Sequence, residues 1–170
     1  AIVFSGHPRA RVLAIHTDEA AGMPGVVRIL TADDIPGERV LGLYAKDWPV
    51  YIKVGEITRY IGDALACVIA ETEAEARAAA ACVKVDYEVL TPPLDMEEAE
   101  TSPIHIHENG NILLDKTIRR GEPVDDALAR CAFTAEATYR TQAVEHAFIE
   151  PEAALAVPEG GGVRLYVQSQ

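Results

Sequence analysis

The most regular part of this sequence reads Ala64-Leu-Ala-Cys-Val-Ile-Ala70, then Thr72-Glu-Ala-Glu-Ala-Arg-Ala-Ala-Ala-Ala81, then Val83-Lys-Val-Asp-Tyr-Glu-Val89. The first run is continuously apolar, which is typical of a strand buried on both faces. The second is rich in the best helix formers, and Thr72 with Glu75 matches a capping box. The third alternates polar and apolar residues, which indicates a strand with one wet face. Strand, helix and strand in this order predict a right-handed βαβ crossover.

The residues before this unit predict several short elements. Residues 9–16 and 26–30 have the alternation of strands, while Thr17 and Thr31 stand where they could begin short helical turns. Residues 40–44 and 50–54 are further strand candidates. Between these two segments lies Trp48, the only tryptophan, which is expected to anchor a core or an interface.

The residues after this unit change in character. Residues 95–112 are acidic, contain proline and lack periodicity, so we expect them to link two domains. Beyond them, Pro123 stands near the start of a helix, and residues 133–141 alternate as a strand would. Two further apolar runs are joined by Pro-Glu-Gly-Gly-Gly at residues 158–162, which predicts a hairpin rather than a nucleotide-binding loop.

Composition and charge exclude several classes of function. Lys and Arg number 15 and Asp and Glu number 27, so the net charge is −12. A nucleic-acid partner is not expected, since phosphate binding needs a basic patch. An anionic membrane surface is disfavoured for the same reason, and no apolar run has spanning length.

The three cysteines, Cys67, Cys82 and Cys131, are far apart and flanked by apolar residues. No Cys-x-x-Cys pair occurs, so a zinc ribbon or an iron–sulfur cluster is not expected within this chain. Buried, reduced thiols are typical of a cytoplasmic protein. The chain opens without Met and stops inside a predicted strand, which we interpret as a piece of a longer protein.

Candidate chemical residues are few. Residues 141–157 place His146 and several carboxylates among apolar residues, and Glu150 precedes Pro151 in an extended or turn geometry. Such an acid is more often structural than catalytic. Glu145 and His146 are neighbours, so in a strand they would point to opposite faces. His105 and His107 would share one face, but no third ligand is nearby, so no metal site is expected.

Several stretches resemble the molybdenum hydroxylases, the xanthine dehydrogenase and aldehyde oxidase family. Met23-Pro-Gly-Val26 followed by Leu30-Thr-Ala-Asp-Asp-Ile-Pro-Gly37 is similar to the opening of that family's α/β hammerhead domain. Residues 60–90 resemble its second half. Residues 121–131 and 146–156 resemble the start of the molybdopterin-binding region that follows. The combination of Asp47-Trp-Pro-Val50 with residues 144–154 looks most like the selenium-dependent xanthine dehydrogenase branch.

The resemblance implies an α+β fold, with a hammerhead domain over residues 1–94, a linker over 95–112 and the truncated start of a molybdopterin-binding domain over 113–170. It implies part of an oxidoreductase that hydroxylates a purine of the xanthine or hypoxanthine type, or an aldehyde, with water as oxygen source. Carbon monoxide, nicotinate and aromatic aldehydes remain alternative substrates. The implied cofactor is a molybdopterin-type molybdenum cofactor. The implied partners are the rest of the molybdenum subunit and iron–sulfur and FAD modules, in a homo-oligomer.

The resemblance also indicates which site residues this chain has and lacks. Gln170 matches the family glutamine that approaches the molybdenum centre, although Gln168-Ser169 replaces the commoner Ser-Thr before it. Glu150 matches a recurrent acid of the active-site wall, and Asp63 stands where many members have glutamine. The family's Gly-Gly-Phe-Gly pterin loop and catalytic glutamate would lie downstream. We therefore expect no catalytic or metal-binding residue here, no cofactor bound to the isolated chain, and no activity from it.

One alternative belongs to another class of protein. A non-catalytic module could keep the hammerhead as a docking surface, and its acidic surface would suit a basic partner protein. The presence or absence of molybdenum in the full-length protein discriminates between the two hypotheses.

Overall fold

The computed structural model describes residues 1–43, 45–147, 149 and 153–168 of the chain. The chain divides into two compact units, Ala1–Thr117 and Ile118–Gln170. Both helices and strands occur, which confirms the predicted α+β class. The predicted extended geometry at Glu150 and the candidate contact Gln170 lie outside the described residues.

The first unit carries most of the regular structure. Its described elements are, in chain order, β1 (Ile2–Phe4), β2 (Ala10–His16), α1 (Asp18–Ala21), β3 (Val26–Thr31), a 3-10 turn (Ala32–Asp34), β4 (Val40–Leu41), β5 (Trp48–Pro49), β6 (Ala64–Ala70), α2 (Glu73–Ala80), β7 (Lys84–Val89) and α3 (Met96–Thr101). Helix α3 lies inside the segment that the sequence indicated to be irregular. Asp95 begins it, because its carboxylate accepts the Glu98 N–H at 2.7 Å.

Strand β6 is the centre of a three-stranded antiparallel sheet with the order β1-β6-β3. Leu65 and Val68 are 0% and 1% exposed. Since these two residues have opposite parity in a strand, they point to opposite faces of the sheet. The predicted burial of this strand on both faces is therefore confirmed, apart from Ile69 near its end, which is exposed.

The predicted βαβ crossover is wrong. Strand β7 pairs antiparallel with β2, from Ala10 opposite Val89 to His16 opposite Lys84, in a separate two-stranded sheet. A strand has two hydrogen-bonding edges, and both edges of β6 are taken by β1 and β3. Strand β7 therefore pairs elsewhere, and its alternating sequence fits a two-stranded sheet with a wet face.

Two clusters of buried side chains form the core of the first unit. The first joins β2 to β6 and the second packs the two helices α1 and α2 against β6. Their members are Val12, Ile52 and Leu65 in the first cluster, and Ala20, Val68 and Ala79 in the second. Small alanines in the second cluster let the helices approach the sheet closely.

Helix α2 begins at the predicted capping box. The Glu75 N–H bonds the Thr72 hydroxyl at 3.3 Å, and the Glu75 carboxylate accepts the Thr72 N–H at 3.0 Å. The same carboxylate covers the turn before β3: a Cβ added at Gly25 would lie 2.3 Å from the Glu75 carboxyl carbon. Gly25 also has φ +77°, so this turn favours glycine for its backbone conformation, and a larger residue would displace the Glu75 carboxylate from the cap.

A second capping box begins the 3-10 turn, as Thr31 predicted. The Asp34 carboxylate accepts the Thr31 N–H at 2.9 Å and a guanidinium N–H of Arg28 at 2.9 Å. These contacts, the backbone bond from Thr31 first and the Arg28 side chain next, hold the pKa of Asp34 below its ordinary value.

We expect the Asp34 carboxylate to contribute to the loss of folding stability at acidic pH. Because the folded pKa of Asp34 lies below the unfolded value, its stabilisation is present above the unfolded pKa and is lost as pH falls through the folded one. Urea unfolding at a series of acidic pH values should show a shallower loss of stability in Asp34→Asn than in the wild type. Equal slopes for the two proteins would contradict this role.

Several other sequence predictions are wrong in detail. Residues 133–141 form no strand, and a strand is formed not by residues 50–54 but by Trp48–Pro49, which pairs with Val40–Leu41. Alternation alone does not make a strand, because a strand needs a hydrogen-bonded neighbour. Trp48 is 65% exposed, so it is not a core anchor. All three thiols are free, but Cys67 and Cys82 are only half-buried and Cys131 is exposed, so the prediction of buried thiols is wrong.

The second unit contains α4 (Val124–Ala129), β8 (Ala154–Glu159) and β9 (Gly162–Val167). Pro123 stands just before the helix, as predicted. Strands β8 and β9 form the predicted hairpin, closed by Gly160 and Gly161 with φ values of 57° and 82°. Two consecutive positive φ values are the mark of a type I′ turn, whose twist matches that of the strands.

Candidate functional site

The predicted site residues fall in different places. Gln170 and Glu150 lie outside the described residues, so the structure places neither of them. Glu145 and His146 are both exposed in the second unit. His105 and His107 line a cleft in the first unit, which sequence reasoning had not predicted.

This cleft has a volume of about 590 Å³, and we call it the arginine cleft. Its walls come from Arg9 and Arg11 at the start of β2, from residues 39–49, from residues 52–59 and from the loop 105–109. Five cationic side chains face it, with three carboxylates among them. The cations are Arg9, Arg11, Arg39, Lys46 and Arg59, and the carboxylates are Asp47, Glu56 and Glu108.

The backbone of residues 55–58 positions one wall by running beside β2. The Gly55 N–H bonds the Val12 carbonyl at 2.7 Å, and the Thr58 N–H bonds the Ala10 carbonyl at 2.8 Å. Ala10 and Val12 are both fully buried. Because alternate residues of a strand face opposite sides, Arg9 and Arg11 project from the other face, towards the cleft.

Two of the arginines are neutralised by carboxylates. Arg39 forms a two-pronged ion pair with Glu56, and it also donates to the Tyr51 carbonyl at 2.7 Å. Arg11 donates from Nε to Glu88 at 3.2 Å and from Nη1 to the Gly55 carbonyl at 2.9 Å. These contacts connect the two arginine side chains of the cleft to strand β7 and to residues 51–56.

The other two arginines bond only to backbone carbonyls in the part of the chain that the structure describes. Arg9 donates to the Thr91 carbonyl at 3.1 Å. Arg59 donates to the Asp47 carbonyl, while the Asp47 carboxylate pairs with Nδ1 of His107. Arginine is charged at every physiological pH. Arg9 and Arg59 therefore bring positive charge into the cleft without a carboxylate partner of their own.

A second compartment of about 500 Å³ opens beside the arginine cleft and shares Arg59, Asp47 and His107 with it. Its remaining walls include Trp48 and Tyr60, which are 65% and 48% exposed. Asp63, which is only 4% exposed, also lines this compartment. Its carboxylate accepts the backbone N–H groups of Arg59 and Tyr60. Asp63 thus holds the turn that carries Arg59 into both compartments.

Tyr51 lies behind this region and is 9% exposed. Burial raises the pKa of Tyr51 above its ordinary value, and the neighbouring Cys67 thiol raises it further through its charge and a hydrogen bond. The phenol therefore stays neutral at physiological pH. The Tyr51 backbone carbonyl accepts a hydrogen bond from Arg39, so Tyr51 helps to position that side chain.

Nothing in the described part of the second unit forms a cradle for a large cofactor. Of its described residues, only Ala127 is not exposed. Across the described ranges of the whole chain, no group of three His, Cys, Asp or Glu side chains could hold a metal ion. The described residues therefore do not by themselves fit a molybdenum–pterin group. No helix in those ranges is long and apolar enough to cross a bilayer.

Comparison with known families decides the relationship of this chain. Residues 1–91 match the model of the aldehyde oxidase and xanthine dehydrogenase a/b hammerhead domain. The chain belongs to the aldehyde oxidase and xanthine dehydrogenase family. Residues 104–170 of this family member also match the molybdopterin cofactor-binding domain. The hammerhead domain followed by the start of a molybdopterin-binding domain is thus confirmed.

Individual members of the aldehyde oxidase and xanthine dehydrogenase family agree along nearly all of the chain. It is 34% identical to a probable xanthine dehydrogenase subunit of Bacillus subtilis, over 99% of this chain and 23% of that protein. It is 34% identical to the nicotinate dehydrogenase large molybdopterin subunit of Eubacterium barkeri, over 95% of this chain and 38% of that protein.

A solved structure supports the same fold. The aldehyde oxidoreductase from Desulfovibrio gigas superposes with a TM-score of 0.88 at 30% identity, covering 99% of this chain and 20% of that one. The chain thus spans well under half of these relatives. None of them carries the selenium assignment in its name, so the predicted branch stays a prediction.

Proposed function

We propose that this chain is part of the molybdenum-cofactor subunit of an oxidoreductase that hydroxylates a purine of the xanthine type, or an aldehyde, with water as the oxygen source. The observation that carries this proposal is the order of two family matches on one chain, a hammerhead domain over residues 1–91 and a molybdopterin-binding domain over 104–170. The relatives named above are dehydrogenases and an oxidoreductase.

The burial of the described side chains indicates the role of each part of the chain in this proposal. The hammerhead, which we place at residues 1–94 before a linker over 95–112, is a packed support with its own buried clusters. Almost all described residues of the segment 113–170 are exposed. Further protein around this segment is therefore needed to enclose a cofactor. Gln170 is our candidate for contact with the molybdenum cofactor. The base and the rest of the pocket are assigned to the longer protein, so the isolated chain is inactive.

The proposed partners and the proposed cellular location follow from the same family relationship. The subunit would work with iron–sulfur and FAD modules, because electrons taken from a substrate at molybdenum must be passed on. We place the protein in the cytoplasm, where free thiols such as Cys67 and Cys82 stay reduced. A homo-oligomer and a place in the selenium-dependent xanthine dehydrogenase branch complete the proposal.

The experiment is cofactor analysis of the full-length gene product purified from a molybdenum-replete host. We expect stoichiometric molybdenum, a fluorescent pterin after oxidation, and oxidation of xanthine or of an aldehyde with heavy oxygen from labelled water in the product. Protein grown with tungstate in place of molybdate is the matched control and should be inactive. A folded full-length protein without molybdenum or pterin would overturn the proposal and favour an interaction module.

A further inference from the structure

The arginine cleft gathers basic side chains in a chain that is otherwise strongly acidic. The whole chain carries 27 acidic and 15 basic residues, yet five cations line this cleft. Three carboxylates line it with them, and Glu88 and Glu38 outside the lining pair with two of the cations. A third of the basic residues are therefore gathered at one concave place. Like charges repel each other, so such a gathering costs free energy unless anions compensate for it.

The compensation present in the described residues is incomplete. Three of the five cations have carboxylate partners and are accounted for by ion pairs: Arg11 with Glu88, Arg39 with Glu56, and Lys46 with Glu38. Arg9 and Arg59 are half-buried and each uses one N–H group on a backbone carbonyl. A guanidinium carries five N–H donors, so most donors of Arg9 and Arg59 have no bond within the described residues. Guanidinium groups in this state match the oxygens of a phosphate or a carboxylate.

The neighbouring compartment offers a different kind of contact. Trp48 and Tyr60 present exposed aromatic surface there, and Arg59 belongs to both compartments. Aromatic surface stacks on planar rings. Volumes of about 590 and 500 Å³ are in the range of sites for small molecules.

We propose that the arginine cleft and the aromatic compartment together bind a small organic anion that carries an aromatic ring. Its phosphate or carboxylate group bonds to Arg9 and Arg59, and its ring lies against Trp48 and Tyr60. An acidic peptide is disfavoured because a volume of about 590 Å³ is in the range of small-molecule sites. This inference does not depend on the proposed molybdenum chemistry.

Trp48 provides a direct test, because it is the only tryptophan and lies in the proposed site. The chain is titrated with phenyl phosphate, phthalate, inorganic phosphate and phenol, while Trp48 fluorescence and amide chemical shifts are recorded. We expect saturable binding of phenyl phosphate or phthalate, about tenfold tighter than that of inorganic phosphate, which lacks the ring. Phenol, which lacks the charge, should bind more weakly still. The tighter of the two aromatic anions identifies the group that the cleft prefers.

Three variants of one kind make the test specific. Arg59→Gln and Arg9→Gln should each weaken binding about tenfold or more, since each removes a charged donor. Arg28→Gln is the matched control, because Arg28 is exposed on β3 and pairs with Asp34 rather than facing the cleft. Amide spectra of the free variants show whether the fold is kept, and Arg9→Gln covers the case in which Arg59→Gln disturbs the Asp47 loop.

Three results would overturn the proposal. The first is absence of saturable binding by both aromatic anions. The second is an equal loss of affinity in Arg28→Gln and in folded Arg9→Gln, which would indicate unspecific charge attraction. The third is binding of an acidic peptide at Arg9 and Arg59 without binding of either small anion, which would make the cleft a protein-docking surface.

Discussion

Replacing Leu65 by alanine is expected to lower the free energy of unfolding by about 2–5 kcal/mol, the usual cost of emptying a packed site. Leu65 is 0% exposed and packs with Val12 and Ile52, so its side chain fills the space between β6 and the sheet of β2. The neighbouring Ile15, Val85 and Tyr87 lie on paired strands. Because those strands constrain them, they cannot simply collapse into the cavity.

The measurement is chemical unfolding of the wild type and the variant, followed by circular dichroism. Leu94→Ala is the matched control, since it removes the same atoms from a side chain that is 77% exposed. We expect the control to change the free energy of unfolding by less than about 0.5 kcal/mol. A similar loss in both variants would show that the Val12–Ile52–Leu65 cluster is not the centre of the core.

The second large effect is expected at Asp63. Its carboxylate is 4% exposed and accepts N–H groups of Arg59 and Tyr60, the first at 2.5 Å. Asp63→Ala leaves these two backbone donors without their carboxylate partner, which costs about 1–3 kcal/mol. The turn also positions Arg59, so we expect weaker binding of anions in the arginine cleft as well as lower stability.

Asp63→Asn separates the two roles of this carboxylate. The amide keeps an acceptor oxygen in the same place, so it should retain more of the stability than alanine does. Unfolding curves for the two variants, with phenyl phosphate titrations on each, make the comparison. If asparagine destabilised the fold as much as alanine, the charge rather than the hydrogen-bond geometry would hold the turn.

Local sequence determined those parts of the structure whose stabilising contacts lie close together in the chain. The capping boxes at Thr72 and Thr31 each close over three residues, so side-chain type and spacing were sufficient to find them. The hairpin of β8 and β9 needed only its two central glycines. The family relationship was likewise predictable, because the motifs at residues 23–37 and 60–90 occur in the family's order.

Other features were decided by contacts between distant residues. The βαβ prediction was wrong because a strand's partner is chosen by which edges are free, and β1 and β3, far away in sequence, take both edges of β6. Residues 133–141 have the right alternation but form no strand, since a pattern of side chains supplies no hydrogen-bonded neighbour. Gln170 remains a prediction of the sequence alone.

The arginine cleft could not be predicted from local sequence either. Arg9, Arg39 and Arg59 are separated by at least twenty residues, and no spacing rule links them. The sequence by itself determined the capped helices, the apolar central strand and the family. Only the tertiary structure decided which strands pair and which cations meet, because electrostatic and packing energies depend on distance in space and not on separation along the chain.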